Sequence, residues 1–317
     1  MTAPIVHIGY HKTATTWLQT HLWPALTSHR HIRKAALEDA ILNDHAFGYD
    51  ARRAREKLFG GDEVPADVLL SHEAFSGTPH TGGLQGFYTT GMARRLRETV
   101  PDAQIVVLLR NQVDMLATTY KQYVNIGGTH GLERYSHPGR HRGGGFRKPR
   151  KMPTFTLDHF DYDRLVSLYE ELFGAANVHV FLYESFRADP RAFVTDMAER
   201  LGLAVDVDAL PMVGENVAFR RNTLALARVL NRFTAHNIPD KRCVWDVLPS
   251  HGAVRRLLKP LNRTRLAGPP VRTGELVPDS LRAEIAERHA AGNARLAARR
   301  ALGDLGAHGY PVASEPG

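Results

Sequence analysis

At 317 residues, 43% hydrophobic and 23% charged, the chain has ordinary globular composition and length for one large domain with a substantial core. A single cysteine, Cys243, excludes an internal disulfide framework and argues against a cysteine-built metal site. The net charge of +8 and pI near 9.7 fit an anionic ligand or partner as readily as a plain basic surface.

The first element is the apolar run 5–8 inside PIVHIGYHKTATTWLQTHLW, residues 4–23, which passes through Gly9 into Lys12 and a group of threonines and then into a helical pattern. A strand that hands over to a helix N-terminus through such a turn offers outward amides and the positive end of a helix dipole to an anion. Lys12 adds a mobile charge, and Thr13, Thr15 and Thr16 add hydroxyl donors. The nucleotide-triphosphatase pattern GxxxxGK[ST] is absent, which leaves open what anion the loop holds. With a strand beginning at about residue 4 there is no room for a signal peptide, and no apolar stretch approaches the ~20 residues of a membrane span. A cytoplasmic protein is expected.

Further buried strands are predicted over 68–70, 105–109 and 178–182, all short and rich in Val, Ile and Leu. The second ends in SHEAFSG, with His72 and Glu73 at its carboxyl end, and the third ends in RNQVDMLATTY, with Arg110 there and Thr118 eight positions on. Ligands of open α/β sheets bind at the carboxyl ends of strands, so Lys12 and Arg110 should face one crevice. Arg110 has an alternative role as the ion-pair partner of Asp114. Residues 127–153 form a basic insertion without regular period, read as a lid or acceptor-binding loop. Its 139–151 part carries Arg140, Arg142, Arg147, Lys148, Arg150 and Lys151 and no acid.

The pattern DYDRLVSLYEELFG predicts a helix stopped by Gly174; Asp189 and Pro190 open the next, and Gly202 closes it. Strands separated by helices predict an α/β fold, a P-loop-NTPase-like parallel sheet flanked by helices. A helical C-terminal part follows over 215–303, including one long helix over 278–302. Residues 304–317 read as a loose tail. No repeat or clean linker divides the chain, so residues 1–317 are read as a single domain.

The paired stretches GYHKTATTWLQ and LLRNQVDMLATTY resemble the sulfotransferases that use 3′-phosphoadenosine-5′-phosphosulfate (PAPS). FDYDRLVSLYEELFGAANVHVFLYESF and ERHAAGNARLAARRALG are similar to bacterial members acting on carbohydrates or other small molecules, so the resemblance covers roughly residues 4–303. It implies a sulfotransferase with PAPS as co-substrate, adenosine 3′,5′-bisphosphate as product and no metal. By resemblance the loop His11, Lys12, Thr13, Ala14, Thr15, Thr16 grips the 5′-phosphosulfate, with Lys12 on the leaving oxygen, and Arg110 and Thr118 grip the 3′-phosphate. The sequence departs from the family pattern in three places. Ala14 stands where Gly is common, which is expected to keep that residue at negative φ; Thr118 replaces Ser, and Gln112 replaces a frequent Pro.

An acceptor hydroxyl or amine needs a base. Ser71-His72 resembles the [TS]-H pair of cytosolic members, so His72 is favoured over Glu73; strand alternation should aim the two in opposite directions, and His45 is a remoter candidate. Arg220 and Arg221 are weaker candidates for the 3′-phosphate, and Trp17 for stacking on the adenine. The rival readings are a P-loop nucleotide kinase and a basic nucleic-acid-binding protein. The acceptor is expected to be a small molecule, lipid or glycan of anionic character, with no nucleic acid and no membrane span. Deleting residues 139–151 should raise the acceptor KM while nearly preserving nucleotide affinity; equal loss of both would contradict the loop's role.

Overall fold

In the computed structural model, which describes residues 2–78, 86–141, 155–212, 218–235, 238, 241–245 and 251–312, five strands form one parallel sheet. They are β1 (Ile5–Gly9), β2 (Arg30–Ile32), β3 (Val68–Ser71), β4 (Gln104–Leu109) and β5 (Val178–Leu182), in the spatial order β2-β3-β1-β4-β5. All pairings are parallel, with Val6 opposite Leu70 on one side and Ile105 on the other. Four strands match the predicted ones. The fifth, β2, went unpredicted because its Arg-His-Ile sequence is exposed, half-buried and buried in turn, with no apolar run to announce it. Only pairing with β3 makes it a strand.

Helix α1 runs through Thr15–Trp17, a π-wound turn Leu18–Leu22 and Trp23–Ala25, and α2 joins Lys34–Leu37 to Glu38–Leu42 in the same way. There follow α3 (Ala51–Phe59), α4 (Thr89–Thr99), α5 (Gln112–Asn125), α6 (Leu132–Ser136), α7 (Tyr162–Phe173), α8 (Tyr183–Ala188) and α9 (Pro190–Leu201). The helical C-terminal part holds α10 (Arg221–Leu230), α11 (His251–Asn262), α12 (Thr273–Leu276) and α13 (Asp279–Arg300). Period-two alternation splits the strands between two cores. Ile5, Leu69, Val106, Leu108 and Phe181 pack against Trp17, Leu18 and Trp23 of α1 and against Phe193 and Met197 of α9. Val6, Ile8, Leu70, Ile105 and Val107 pack on the opposite face with α4, α5, α7 and the C-terminal helices.

The expected caps are in place. The Asp189 carboxylate accepts from the amides of Arg191 and Ala192, both at 3.0 Å, and Gly174 and Gly202 end their helices at φ 86 and 64. Helix α13 is tied to α7 by Arg295 and Arg299 on Asp163 at 2.8 and 2.7 Å, with Arg299 also meeting Glu170 at 2.9 Å.

Two expectations are corrected. Residues 304–312 are not a loose tail: Leu305 and Tyr310 are 2% and 3% exposed, because their apolar bodies complete the core beside β4 and α7. The 127–153 insertion is not irregular throughout. Its first part forms α6 and a turn at Pro138–His141, since Leu132 and Tyr135 lie on one helical face and enter a cluster of rings with Tyr120, Tyr123 and Phe155. Residues 142–153, with Phe146 and most of the insertion's basic side chains, lie outside the described residues.

From β1 the chain crosses to β2 on one side, and from β4 to β5 on the other. The turns leaving these two adjacent strands therefore diverge around a shared gap, the switch point where such sheets bind ligands. Gly9 makes the gap possible. A Cβ there would lie 3.1 Å from Glu73 Cα and 3.2 Å from its carbonyl, and φ is +104. Gly9→Ala is expected to lower unfolding free energy by about 1–3 kcal/mol. An unchanged urea midpoint would show that this close approach is not required.

Candidate active site

The amide of Tyr10 still pairs with Leu108 of β4 at 3.0 Å; beyond it the chain turns sharply. Lys12 and Ala14 both adopt left-handed conformations, φ 62 and 64, so the expectation of negative φ at Ala14 is overturned. Each costs about 1–2 kcal/mol for a residue with a Cβ. The cost is offset by two hydroxyls, Thr13 and Thr15, that donate to the single carbonyl of Tyr10 at 2.7 and 3.0 Å and close the turn. The first helical bond runs from the Leu18 amide to the Ala14 carbonyl, 3.0 Å. Among the described residues, the amides of residues 11–16 meet no protein acceptor. Left-handed residues alternating with ordinary ones gather such amides into an anion-binding concavity. The cradle is therefore built of backbone: Thr13 and Thr15 are buried and their protons are spent on Tyr10, whereas Thr16 is exposed at the helix start.

Burial lowers the Lys12 pKa; Glu73 opposes this, and the positive charges of Arg255 and Arg110 add to it. His11 is buried and donates through Nε2 to the Gly77 carbonyl at 2.8 Å, and burial takes its pKa down to about 4. It is a neutral wall of the loop.

Arg110, at the end of β4, reaches across to the same turn: its guanidinium donates to the Lys12 carbonyl at 3.2 Å. It also lies over the Tyr183 ring, 4.5 Å from the centroid, and 3.9 Å from the Asp114 carboxylate. Its Nε is buried with no acceptor among the described residues. Thr118, further along α5, is half-buried and donates to the Asp114 carbonyl at 2.7 Å.

A buttress unseen in the sequence holds this turn. Glu184 accepts the Asn111 amide at 2.9 Å and its side chain at 3.2 Å, and Tyr310 donates to the other Glu184 oxygen at 3.1 Å. Tyr162 donates to the Arg110 carbonyl at 2.6 Å. Its bracing partners come from three stretches distant in sequence from Arg110, and no spacing rule connects them to it.

At the end of β3, His72 and Glu73 do not diverge, because a tight turn, Glu73–Ser76, begins at once and ends strand alternation. Both meet α2. His72 is 5% exposed, and both ring nitrogens are engaged: Nδ1 accepts from the Ala74 amide at 3.0 Å, and Nε2 lies 3.2 Å from Glu38. Burial lowers its pKa. Glu73 Oε1 takes the Lys34 ammonium at 2.5 Å, while Oε2 is buried with no partner among the described residues. Burial alone would raise its pKa, but Lys34, His11 and His72 outweigh burial and hold it down at about 2.

The other candidates lie apart. Trp17 is 5% exposed, packs on Phe186 and donates to the Pro211 carbonyl at 2.9 Å, which makes it core rather than an open stacking face. Arg221 is paired with Glu275, and the Arg220 amide meets Asn262 at 2.8 Å. His45 is exposed and accepts from the Phe47 amide. Arg255 of α11, which the sequence did not single out, is the C-terminal cation whose charge reaches Lys12. Among the described residues no group of three His, Cys, Asp or Glu is arranged to hold a metal ion.

No protein-family model and no curated sequence matches the chain. Its backbone is similar to those of solved sulfotransferases. One is from Alicyclobacillus acidocaldarius, with 21% identity, 73% of this chain and 94% of that one covered, and TM-score 0.48. Another is mouse SULT7A1 complexed with PAP, with 12% identity, 96% and 87% covered, and TM-score 0.40. A third is the sulfotransferase domain of the Synechococcus PCC 7002 olefin synthase, with 13% identity, 68% and 78% covered, and TM-score 0.38. At such distances the chemistry has to be read from the cleft itself.

The buttress is directly testable. Tyr310→Phe removes one hydrogen bond to a carboxylate and is expected to lower stability by about 1–2 kcal/mol. A loss below about 0.3 kcal/mol in chemical denaturation would mean that the C-terminal segment does not hold the Arg110 turn.

Proposed function

We propose that this cleft transfers a sulfuryl group from PAPS to a hydroxyl or amine acceptor and releases adenosine 3′,5′-bisphosphate. The observation that carries the reading is the contact of the Arg110 guanidinium with the Lys12 carbonyl. It makes two cationic anion sites, on adjacent strand ends, neighbours in one gap. A nucleotide phosphorylated at both ends suits such a pair. The amides of residues 11–16 would hold the 5′-phosphate, with Lys12 at the oxygen bridging phosphorus and sulfur. Arg110, through its unpartnered Nε, would take the 3′-phosphate, with Thr118 on the following helix as the second group.

In the transfer, the acceptor oxygen bonds to sulfur as the sulfur–oxygen bond to the nucleotide breaks. The acceptor proton passes to a base, and the leaving phosphate oxygen keeps the electron pair against the Lys12 ammonium. The sulfuryl group carries less charge than a phosphoryl group, so a metal clamp is not demanded. A nucleotide kinase would want a metal-binding carboxylate at a strand end; β4 offers Arg110 there, and Glu73 at the end of β3 is already paired with Lys34.

For the base, the geometry favours Glu73 over the His72 expected from sequence. Both nitrogens of His72 are committed, whereas Glu73 Oε2 is buried and unpartnered. With its pKa at about 2 the carboxylate is ionised but weakly basic, so this role requires the bound nucleotide to raise its pKa. The bound nucleotide's negative charge raises its basicity at the moment it is needed. Lys34 aims it.

Release of adenosine 3′,5′-bisphosphate from PAPS, measured over a panel of hydroxyl and amine acceptors, tests the reading. Lys12→Ala and Arg110→Ala should each cut kcat/KM by at least ~100-fold in a folded protein, and Glu73→Gln should do the same. His72→Asn, which preserves a turn-capping side chain, should stay within about tenfold of wild type. Wild-type-like turnover in either cation variant rejects the transferase, and loss at His72 with retention at Glu73 reassigns the base.

A further inference from the structure

Between Asp246 and Glu275 the sequence contains no acidic residue, and Arg255, Arg256, Lys259, Arg263, Arg265 and Arg272 are all exposed. The same stretch leaves large apolar side chains in water. Helix α11 buries Val254 and Leu258 but leaves Leu257 68% exposed, and the turn Arg265–Ala267 packed beside it leaves Leu266 74% exposed. Trp245, ahead of the helix, is 70% exposed.

We propose that α11 and its following turn dock this protein on the surface of a bilayer that contains anionic lipid. The first five of these cations, unlike Arg272 beside Glu275, have no counter-charge nearby in sequence and call for a polyanionic surface. Exposed leucines decide which one. Nucleic acid satisfies arginines through phosphates, but aliphatic side chains neither stack on bases nor hydrogen-bond to them. At a lipid interface the same residues divide naturally, the cations at headgroup phosphates and Leu257, Leu266 and Trp245 among the upper acyl segments. No helix among the described residues is long and apolar enough to cross a membrane, which fits a helix lying on the surface. The docking does not depend on the sulfuryl-transfer reading, and it is measured without turnover.

Co-sedimentation with vesicles of phosphatidylcholine, with and without phosphatidylglycerol, tests it. The full chain should pellet with the anionic vesicles and remain in the supernatant with phosphatidylcholine alone. Leu257→Asp combined with Leu266→Asp should require at least ~10-fold more anionic lipid, with an unchanged thermal transition. If that pair disturbs the fold, Arg256→Glu combined with Lys259→Glu decides, and it should likewise require at least ~10-fold more anionic lipid. The proposal is overturned if the wild type ignores anionic vesicles, or if the folded Leu variant binds them as well as wild type. Tight binding of duplex DNA that the Leu variant retains, with vesicles ignored, would assign the surface to nucleic acid instead.

Discussion

A guanidinium on the end of one strand donating to the backbone carbonyl of a lysine on the end of its neighbour is the contact around which this cleft is organised. It exists because β1 and β4 are adjacent and parallel while their chains leave in opposite directions, so the two turns meet with nothing between them. The contact fixes the spacing of the two cations through backbone, not through mobile side chains alone. Both turns are stiffened: the neighbouring Thr13 and Thr15 close one over Tyr10, and Glu184, Tyr310 and Tyr162, remote in sequence, brace the other.

Assembling Lys12, Arg110 and Arg255 near one another is electrostatically unfavourable unless anions answer them. Protein carboxylates supply part of that answer: Asp114 beside Arg110, and Glu73 within the field of Lys12. The remainder is a standing excess of positive potential and unpaired amides, which an anionic ligand would relieve. Glu73 is the point where the two signs meet. Its carboxylate is held ionised chiefly by Lys34, and one oxygen is buried without a partner among the described residues.

Much of this was legible in the sequence, for specific reasons. Strands covered on both faces announce themselves as unbroken Val, Ile and Leu, and Asp189, Gly174 and Gly202 mark helix ends because their chemistry is local. Lys12 and Arg110 could be placed at strand ends because each follows closely on a buried apolar run. What was not legible is what depends on tertiary partners. The edge strand β2 has no apolar run, and the left-handed turn at Ala14 is imposed by closure on Tyr10. The packing of Leu305 and Tyr310 needs a surface supplied by β4 and α7. His72 and Glu73 both meet α2, whose Glu38 and Lys34 no motif connects to either.

The most direct test of the account is calorimetric titration of the purified chain with adenosine 3′,5′-bisphosphate and, separately, with ATP and Mg²⁺. If Lys12 and Arg110 grip the two ends of one nucleotide, the bisphosphate binds at a single site and at least ~10-fold more tightly than ATP–Mg²⁺, since only it carries phosphates at both ends of the ribose. Preference for ATP–Mg²⁺, or no binding of the bisphosphate, would contradict the shared-ligand geometry on which the cleft has been interpreted.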